Sequence, residues 1–217
     1  MLEQIFMVFE YKDVKLSWLG HACFKIEWKG LSIYLDPFRI ERDRADIVLV
    51  THDHFDHCSL EDLKKLEGDV EVVAPLSCKD KLKDFKLITI KPNEELMVKG
   101  IKVKAVPAYN INKFREPGKV FHPKDAGYVG YILELGETSV YHAGDTDFIP
   151  EMNGLKADIA LLPVSGTYVM TVDEAVEAAK AIKAEVFIPM HYGSIVGSKR
   201  DAEEFVKRVK NGRLLIS

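Results

Sequence analysis

Three histidines and two aspartates fall within six residues, His52-Asp-His54-Phe-Asp56-His57, directly behind the apolar run Ile47-Val-Leu-Val50. The chain has seven histidines in all, so this concentration needs a chemical reason. Imidazole nitrogens and carboxylate oxygens are the ligands that suit zinc and neighbouring transition metals. Side chains two apart on an extended segment point to one side, so His52 and His54 can grip one ion. Asp56 and His57, a turn further on, can take a second. Asp145, in His142-Ala-Gly-Asp145-Thr146, can bridge two ions with its two oxygens, and His191 arrives from a distant segment to complete a shell. Any one of these histidines alone reads as a solvated turn residue. The cluster as a whole reads as a metal centre.

Each group follows an apolar strand that stops: Ile47 to Val50, Ser139 to His142, and Glu185 to Met190. Functional side chains gather on loops held by such rigid ends. Further short β-branched or aromatic stretches predict strands over Val14 to Trp18, Ala22 to Trp28, Leu31 to Leu35, Val70 to Ala74, Leu87 to Ile90, Leu96 to Val98, Ile101 to Val106, Tyr128 to Leu135, Ile159 to Val164 and Leu214 to Ile216. Helices are expected from Ser59 to near Gly68, over Cys78 to Phe85, after the capping box Thr171-Val-Asp-Glu174, and over Asp201 to Lys210. Many strands with few helices between them suggest sheets covered by helices, in one domain over residues 1–217.

A net charge of −4 leaves no global footprint for nucleic acid. Three widely spaced cysteines imply no disulfide framework and fit a reducing cytoplasm. The apolar patch in Met1 to Glu10 lacks the basic start and long core of a secretory signal, and no apolar run has the length to cross a bilayer. The expected partner is a small-molecule substrate, with no nucleic acid and no membrane, and a homo-oligomer is compatible with this composition.

His52-Asp-His-Phe-Asp-His57 resembles the H-x-H-x-D-H motif of the metallo-β-lactamase superfamily. Gly144-Asp145-Thr146 is similar to its later bridging aspartate, and Pro189-Met-His191-Tyr-Gly193 to its last histidine. Trp18-Leu-Gly-His21-Ala-Cys-Phe24 and Leu35-Asp-Pro37 resemble the opening of its small stand-alone zinc-dependent hydrolases, the branch that includes ascorbate-6-phosphate lactonase. The resemblance runs in order along nearly the whole chain. It implies an α+β fold, the αβ/βα sandwich, in which two facing mixed sheets are covered by helices and metals sit at one edge. One departure stands out. The superfamily usually supplies another metal histidine after a middle strand, but here Ile101 to Val106 leads to Asn110. Either the amide of Asn110 serves, as a weaker and harder ligand, or His122 swings in from the following loop.

Other residues near these motifs carry smaller expectations. His21 reads equally as a residue behind the ligands or as a buried, hydrogen-bonded histidine. His142 reads as structural, Asp36 as a group that orients a ligand histidine, and Cys58 as packing. The polar loop Asn112 to Lys124 leans basic and reads either as solvated surface or as a lid that attracts an anionic substrate. The chemistry expected is hydrolysis of an ester, lactone or phosphodiester of a small substrate. Two divalent ions, zinc first with manganese or iron as alternatives, would generate hydroxide from a shared water, with Asp56 as ligand, orienting group and proton acceptor. The alternatives are a di-metal redox enzyme, disfavoured because His54 stands where that branch has Glu, and a non-catalytic binding protein that kept the fold.

Overall fold

Side chains along Leu31-Ser-Ile-Tyr-Leu35 and Ile47-Val-Leu-Val50 alternate between two apolar environments. Ile33, Leu35, Ile47 and Leu49 join one buried cluster, while Tyr34, Val48 and Val50 join another. Such two-faced burial marks strands covered on both sides, and it organises the molecule. The computed structural model describes residues 8–216, so most of the N-terminal apolar patch lies outside the described residues.

The first half of the chain forms β1 (Val8–Tyr11), β2 (Val14–Gly20), β3 (Cys23–Trp28), β4 (Leu31–Leu35), a short β5 (Asp43–Arg44), β6 (Ile47–Leu49), α1 (Leu60–Leu63), β7 (Leu66–Glu67), β8 (Glu71–Pro75) and β9 (Leu87–Ile90). The second half contributes β10 (Glu95–Val98), β11 (Ile101–Pro107), β12 (Phe114–Glu116), β13 (Lys119–Val120), β14 (Val129–Leu135), β15 (Thr138–His142), β16 (Lys156–Pro163), α2 (Val172–Ala181), β17 (Lys183–Met190) and α3 (Lys199–Arg208). One sheet runs β1-β2-β3-β4-β6-β8-β9 and the other β10-β11-β14-β15-β16-β17. Each starts antiparallel and turns parallel part-way, at β4–β6 and at β15–β16. Both sheets are therefore mixed, as an αβ/βα sandwich requires.

The principal core lies between them. Leu16, Phe24, Ile33 and Leu49 of one sheet share it with Val103, Tyr131, Val140, Leu161 and Ile188 of the other. α2 and α3 pack on the β17 side of the second sheet, and Ala175, Val176, Ala178, Ala179, Ala202 and Phe205 are their buried residues. The Thr171 hydroxyl accepts from the Glu174 amide, and the Glu174 carboxylate accepts from the Thr171 amide, so the expected capping box opens α2.

Three expected elements differ. The helix from Ser59 ends at Leu63, because Leu66 enters β7 and pairs in parallel with Asp43 of β5. Cys78 to Phe85 is a 3₁₀ turn at Leu76–Cys78 followed by further turns. The chain must return at once to the sheet, where the Val72 amide already donates to Lys86 O. Leu214 to Ile216 forms no strand; the pairing shrinks to one bridge, Phe187 with Gly212, beside the Arg213 amide bonded to Phe187 O.

Parallel strands carry their C-terminal ends to the same side, which sets the site. β4, β6, β15 and β17 end at Asp36, at the Thr51–His57 loop, at Asp145 and at His191. Backbone bonds cross between the sheets at this end. The His191 amide donates to His21 O at 2.8 Å, and the Val129 amide to Thr51 O at 3.1 Å. Gly144 is required at this seam: its φ is +66°, and a Cβ would sit 2.8 Å from Val129 O.

Candidate metal centre

The site is anchored from behind by Asp36, which is fully buried. Its Oδ1 accepts from the Thr51 amide and its Oδ2 from the Thr51 hydroxyl, both at 2.7 Å. Oδ2 also lies 2.7 Å from His57 Nδ1. A carboxylate only accepts, so His57 carries its proton on Nδ1 and turns Nε2 inward. The Thr51 hydroxyl has spent its hydrogen on Asp36, so at 3.0 Å it accepts from His52 Nδ1. His52 Nε2 is thereby left inward as well. One carboxylate fixes the tautomer of two histidines.

A second relay holds His122. Its Nδ1 lies 2.9 Å from Asn110 Oδ1 and 3.2 Å from Tyr168 O, and both partners are acceptors. The Asn110 amide donates to Asp147 Oδ1 at 3.1 Å and to Tyr168 O at 2.9 Å, which fixes which amide atom is oxygen. His122 Nε2 therefore faces inward, 3.2 Å from His54 Nδ1 and 3.4 Å from Asp145 Oδ2. Of the two residues offered for the missing histidine, His122 enters the cluster, and Asn110 stands behind it with its oxygen already engaged.

The remaining groups converge on Asp145. Its Oδ2 is 3.1 Å from His191 Nε2, and its Oδ1 is 3.3 Å from His57 Nε2 without an aligned hydrogen bond. His191 Nδ1 is 3.1 Å from the Ser165 hydroxyl. His21 Nε2 lies 3.0 Å from Asp56 Oδ2, and its ring is 4.1 Å from that of His191. Three sets of donor atoms result: His52, His54 and His122; His52, His57 and Asp145; and His21, Asp56, His57 and His191. Asp145 thus lies between a histidine triad and a mixed group. The place of His21 in the mixed group exceeds its sequence reading; a lone histidine after a strand carries no spacing signal.

His52 Nε2, His57 Nε2, Asp145 Oδ1, His191 Nε2 and His21 Nδ1 are buried and have no hydrogen-bond partner. Unpaired buried polar atoms are costly and rare, and five in one cluster fit residues arranged for a cation. The protonation states of His21, His52, His122, Asp56 and Asp145 agree. Burial holds His52 well below the ordinary imidazole range and brings His21 and His122 down to about 4. Burial works against ionising Asp56, but its bond to His21 and the nearby His57 outweigh it and bring Asp56 to about 2. Asp145 is likewise held well below its usual value: burial opposes ionisation, and His191 and His57 overcome it. Neutral imidazoles and ionised carboxylates are the forms that ligate metals. Burial also disfavours charge on His57, yet Asp145 and Asp36 keep it protonated well above its usual range, so the centre favours positive charge at that point.

His21, Asp36 and His191 all adopt the left-handed region, with φ of 53°, 44° and 61°. Each such non-glycine residue costs roughly 1 kcal/mol, and the cost falls on residues that build the centre. His142 is structural: its Nε2 lies 2.9 Å from Ala22 O, and its Nδ1 accepts from the Gly144 amide. Cys58 is buried in the outer apolar cluster with Cys78. The basic loop is a hairpin, β12–β13, whose lysines are already paired. Lys113 binds Glu174 at 2.7 Å and Asp147 at 3.2 Å, Lys119 binds Glu116, and Lys124 binds Glu151 at 2.8 Å.

A family model described as the beta-lactamase superfamily domain matches residues 15–191. The chain belongs to that superfamily. It belongs with its stand-alone UPF0173 metal-dependent hydrolases. The one from Thermoplasma acidophilum is 36% identical over 212 residues, covering 89% of this chain and 90% of the relative. The one from Methanopyrus kandleri is 33% identical, covering 91% and 92%. Among solved structures, a Parabacteroides distasonis protein described as a metal-dependent hydrolase is similar with a TM-score of 0.84 and 30% identity, covering 97% of this chain and 98% of that one. The superfamily fold, the hydrolase class and donor clusters suited to a metal thus agree. Among the described residues no helix is long and apolar enough to cross a membrane.

Proposed function

We propose that this UPF0173 member hydrolyses an ester, lactone or phosphodiester bond of a small substrate, using two divalent cations, zinc first and manganese or iron as alternatives. The observation that carries the reading is the convergence of buried, unpartnered His52 Nε2, His57 Nε2, Asp145 Oδ1 and His191 Nε2. One cation would be held by His52, His54 and His122, the other by Asp56, His57 and His191 with His21 beside them, and Asp145 would serve both. Bound there, the cations supply Lewis acidity and lower the pKa of water.

The protein's own groups do the rest. Asp56 opens into the cavity beside the cluster and is held ionised, so it orients the attacking water and accepts its proton. His21, bonded to Asp56, fixes the direction of that carboxylate. Water adds across the scissile bond to give an acid and an alcohol from an ester, a hydroxy acid from a lactone, or a phosphomonoester and an alcohol from a phosphodiester. The core shared by both sheets supports residues 1–217 acting as one catalytic unit, and the three free cysteines support a reducing, cytoplasmic setting.

The test is elemental analysis of the purified protein, followed by lactone, phosphodiester and thioester panels with zinc, manganese and iron. Bound metal and chelator-sensitive turnover are expected. Full metal content in a folded His57→Ala, Asp145→Ala double variant overturns the assignment.

A further inference from the structure

A cavity of about 400 Å³ opens on the metal-centre side chains His54, Asp56, His122 and Asp145, a size that suits a small molecule. The rest of its lining is mostly apolar or aromatic: Phe55, Phe121, Tyr168 and Ile195, joined by Asp53 and a single cation, Lys81. Phe55 is 65% exposed and Ile195 36% exposed, large apolar side chains left uncovered beside a polar centre. Phe121 meets Tyr168 edge to face at 4.5 Å, so that wall is preformed. Lys81 donates to the Asp53 carbonyl. An ammonium has three hydrogens, so two remain for a ligand. The other cations nearby do not line this cavity: Lys113 and Lys124 are paired with carboxylates, and Arg39 donates to Ser194 and lies over the Phe38 ring.

From this lining we infer that the substrate is an ester or lactone whose apolar, preferably aromatic, portion packs on Phe121, Tyr168, Phe55 and Ile195, and whose one remote negative charge is recognised by Lys81. The inference rests on the hydrolase reading above and narrows it: away from the metal-centre side chains the lining offers one cation, so a substrate carrying several remote negative charges fits it poorly. Lys81 is then a specificity residue, away from the reacting atoms.

The experiment is calorimetric titration of the metal-loaded protein with 4-phenylbutyrate, its neutral amide and glycerol 3-phosphate. The acid should bind about fivefold tighter than the amide, the range of one exposed ion pair, and tighter than glycerol 3-phosphate. Lys81→Met should erase the acid–amide difference and leave amide binding unchanged; a carboxylate held by the metal instead would keep the difference in that variant, which overturns the proposal. Phe121→Ala should weaken acid and amide alike by about tenfold through lost apolar contact, and Phe121→Leu should restore most of it. Equal binding of acid and amide by the wild type, or tighter binding of glycerol 3-phosphate, also overturns it. These readouts are independent of turnover. Ester hydrolysis without acid–amide discrimination defeats the subsite alone, and discrimination without any hydrolysis defeats the catalytic reading alone.

Discussion

Asn110 and His122 are bonded twice through a single atom: Asn110 Oδ1 accepts from the His122 backbone amide at 2.9 Å and lies 2.9 Å from its Nδ1. The amide that occupies the place of the expected histidine has become the support of the histidine that replaces it. Behind Asn110 stands Asp147, which also accepts from the Ile111 and Asn112 amides. Asn110→Ala is expected to weaken metal binding at the His52, His54 and His122 set by about tenfold, the usual effect of losing an outer hydrogen-bond partner. Competitive chelator titration reads this directly; unchanged affinity would show that the Tyr168 carbonyl suffices to hold His122.

Asp36 serves three donors in a site closed to water. Asp36→Ala strands the Thr51 amide and hydroxyl and frees His57, and should cost about 3 kcal/mol. Urea unfolding measures it, and a loss below about 1 kcal/mol, the worth of one ordinary hydrogen bond, would contradict the anchoring role.

Acid should act on a second carboxylate. Asp62 accepts from the Arg39 and Ile40 amides, the Ser59 hydroxyl and Lys65, and so clamps the segment after Phe38 onto α1. Burial would raise its pKa, but the bonds to Ser59, Lys65 and the Arg39 amide prevail and lower it. A carboxyl depressed in the folded state contributes stability above its unfolded pKa, near ~3.9, and loses it as the pH falls through the lower folded value. Asp62→Ala should therefore be clearly destabilised at pH 7 and converge on the wild type near the folded pKa. A parallel offset at both ends of a pH series of melts would refute this.

Removing the cations should lower the melting temperature. A ligand at about a hundred times its dissociation constant stabilises by ~2.7 kcal/mol, or about 5–10 °C for a chain of this size. Calorimetry before and after exhaustive chelation makes the comparison, and a constant melting temperature speaks against tight binding.

The hairpin lysines offer a contrast. Lys113 is mostly buried between Glu174 and Asp147. Lys113→Met should destabilise the fold by about 2 kcal/mol with little effect on KM, whereas Lys119→Met should do neither. A large rise in KM for either variant would revive the anion-attracting lid.

The parts of this protein legible in its sequence are those where spacing and periodicity coincide. His52 to His57 could be read as a candidate metal cluster because its side chains are close in sequence and follow a buried strand. Asp36 could be read because Leu35-Asp-Pro37 breaks a strand and resembles the opening of the stand-alone hydrolases. His21 gave no comparable signal, since it reaches Asp56 and His191 only through pairing across the sheets. The choice between Asn110 and His122 turned on a loop whose path no local propensity encodes. Cys78 to Phe85 failed as a helix for a related reason: the apolar spacing fits a helix, but the demand for β9 to rejoin β8 leaves no length for one. Leu214 to Ile216 has strand composition without a partner edge long enough to use it.

The left-handed backbone at His21, Asp36 and His191 has a consequence for engineering. Glycine at each would relax the main chain while deleting an imidazole or carboxylate that the proposed chemistry uses. A laboratory selection of the chelated protein that rewards heat tolerance alone should thus enrich glycine at positions 21 and 191 and return sturdy but inert proteins, whereas at Asp36 the three lost hydrogen bonds outweigh the relief. Glycine enrichment in such a screen would map the centre without any substrate in hand.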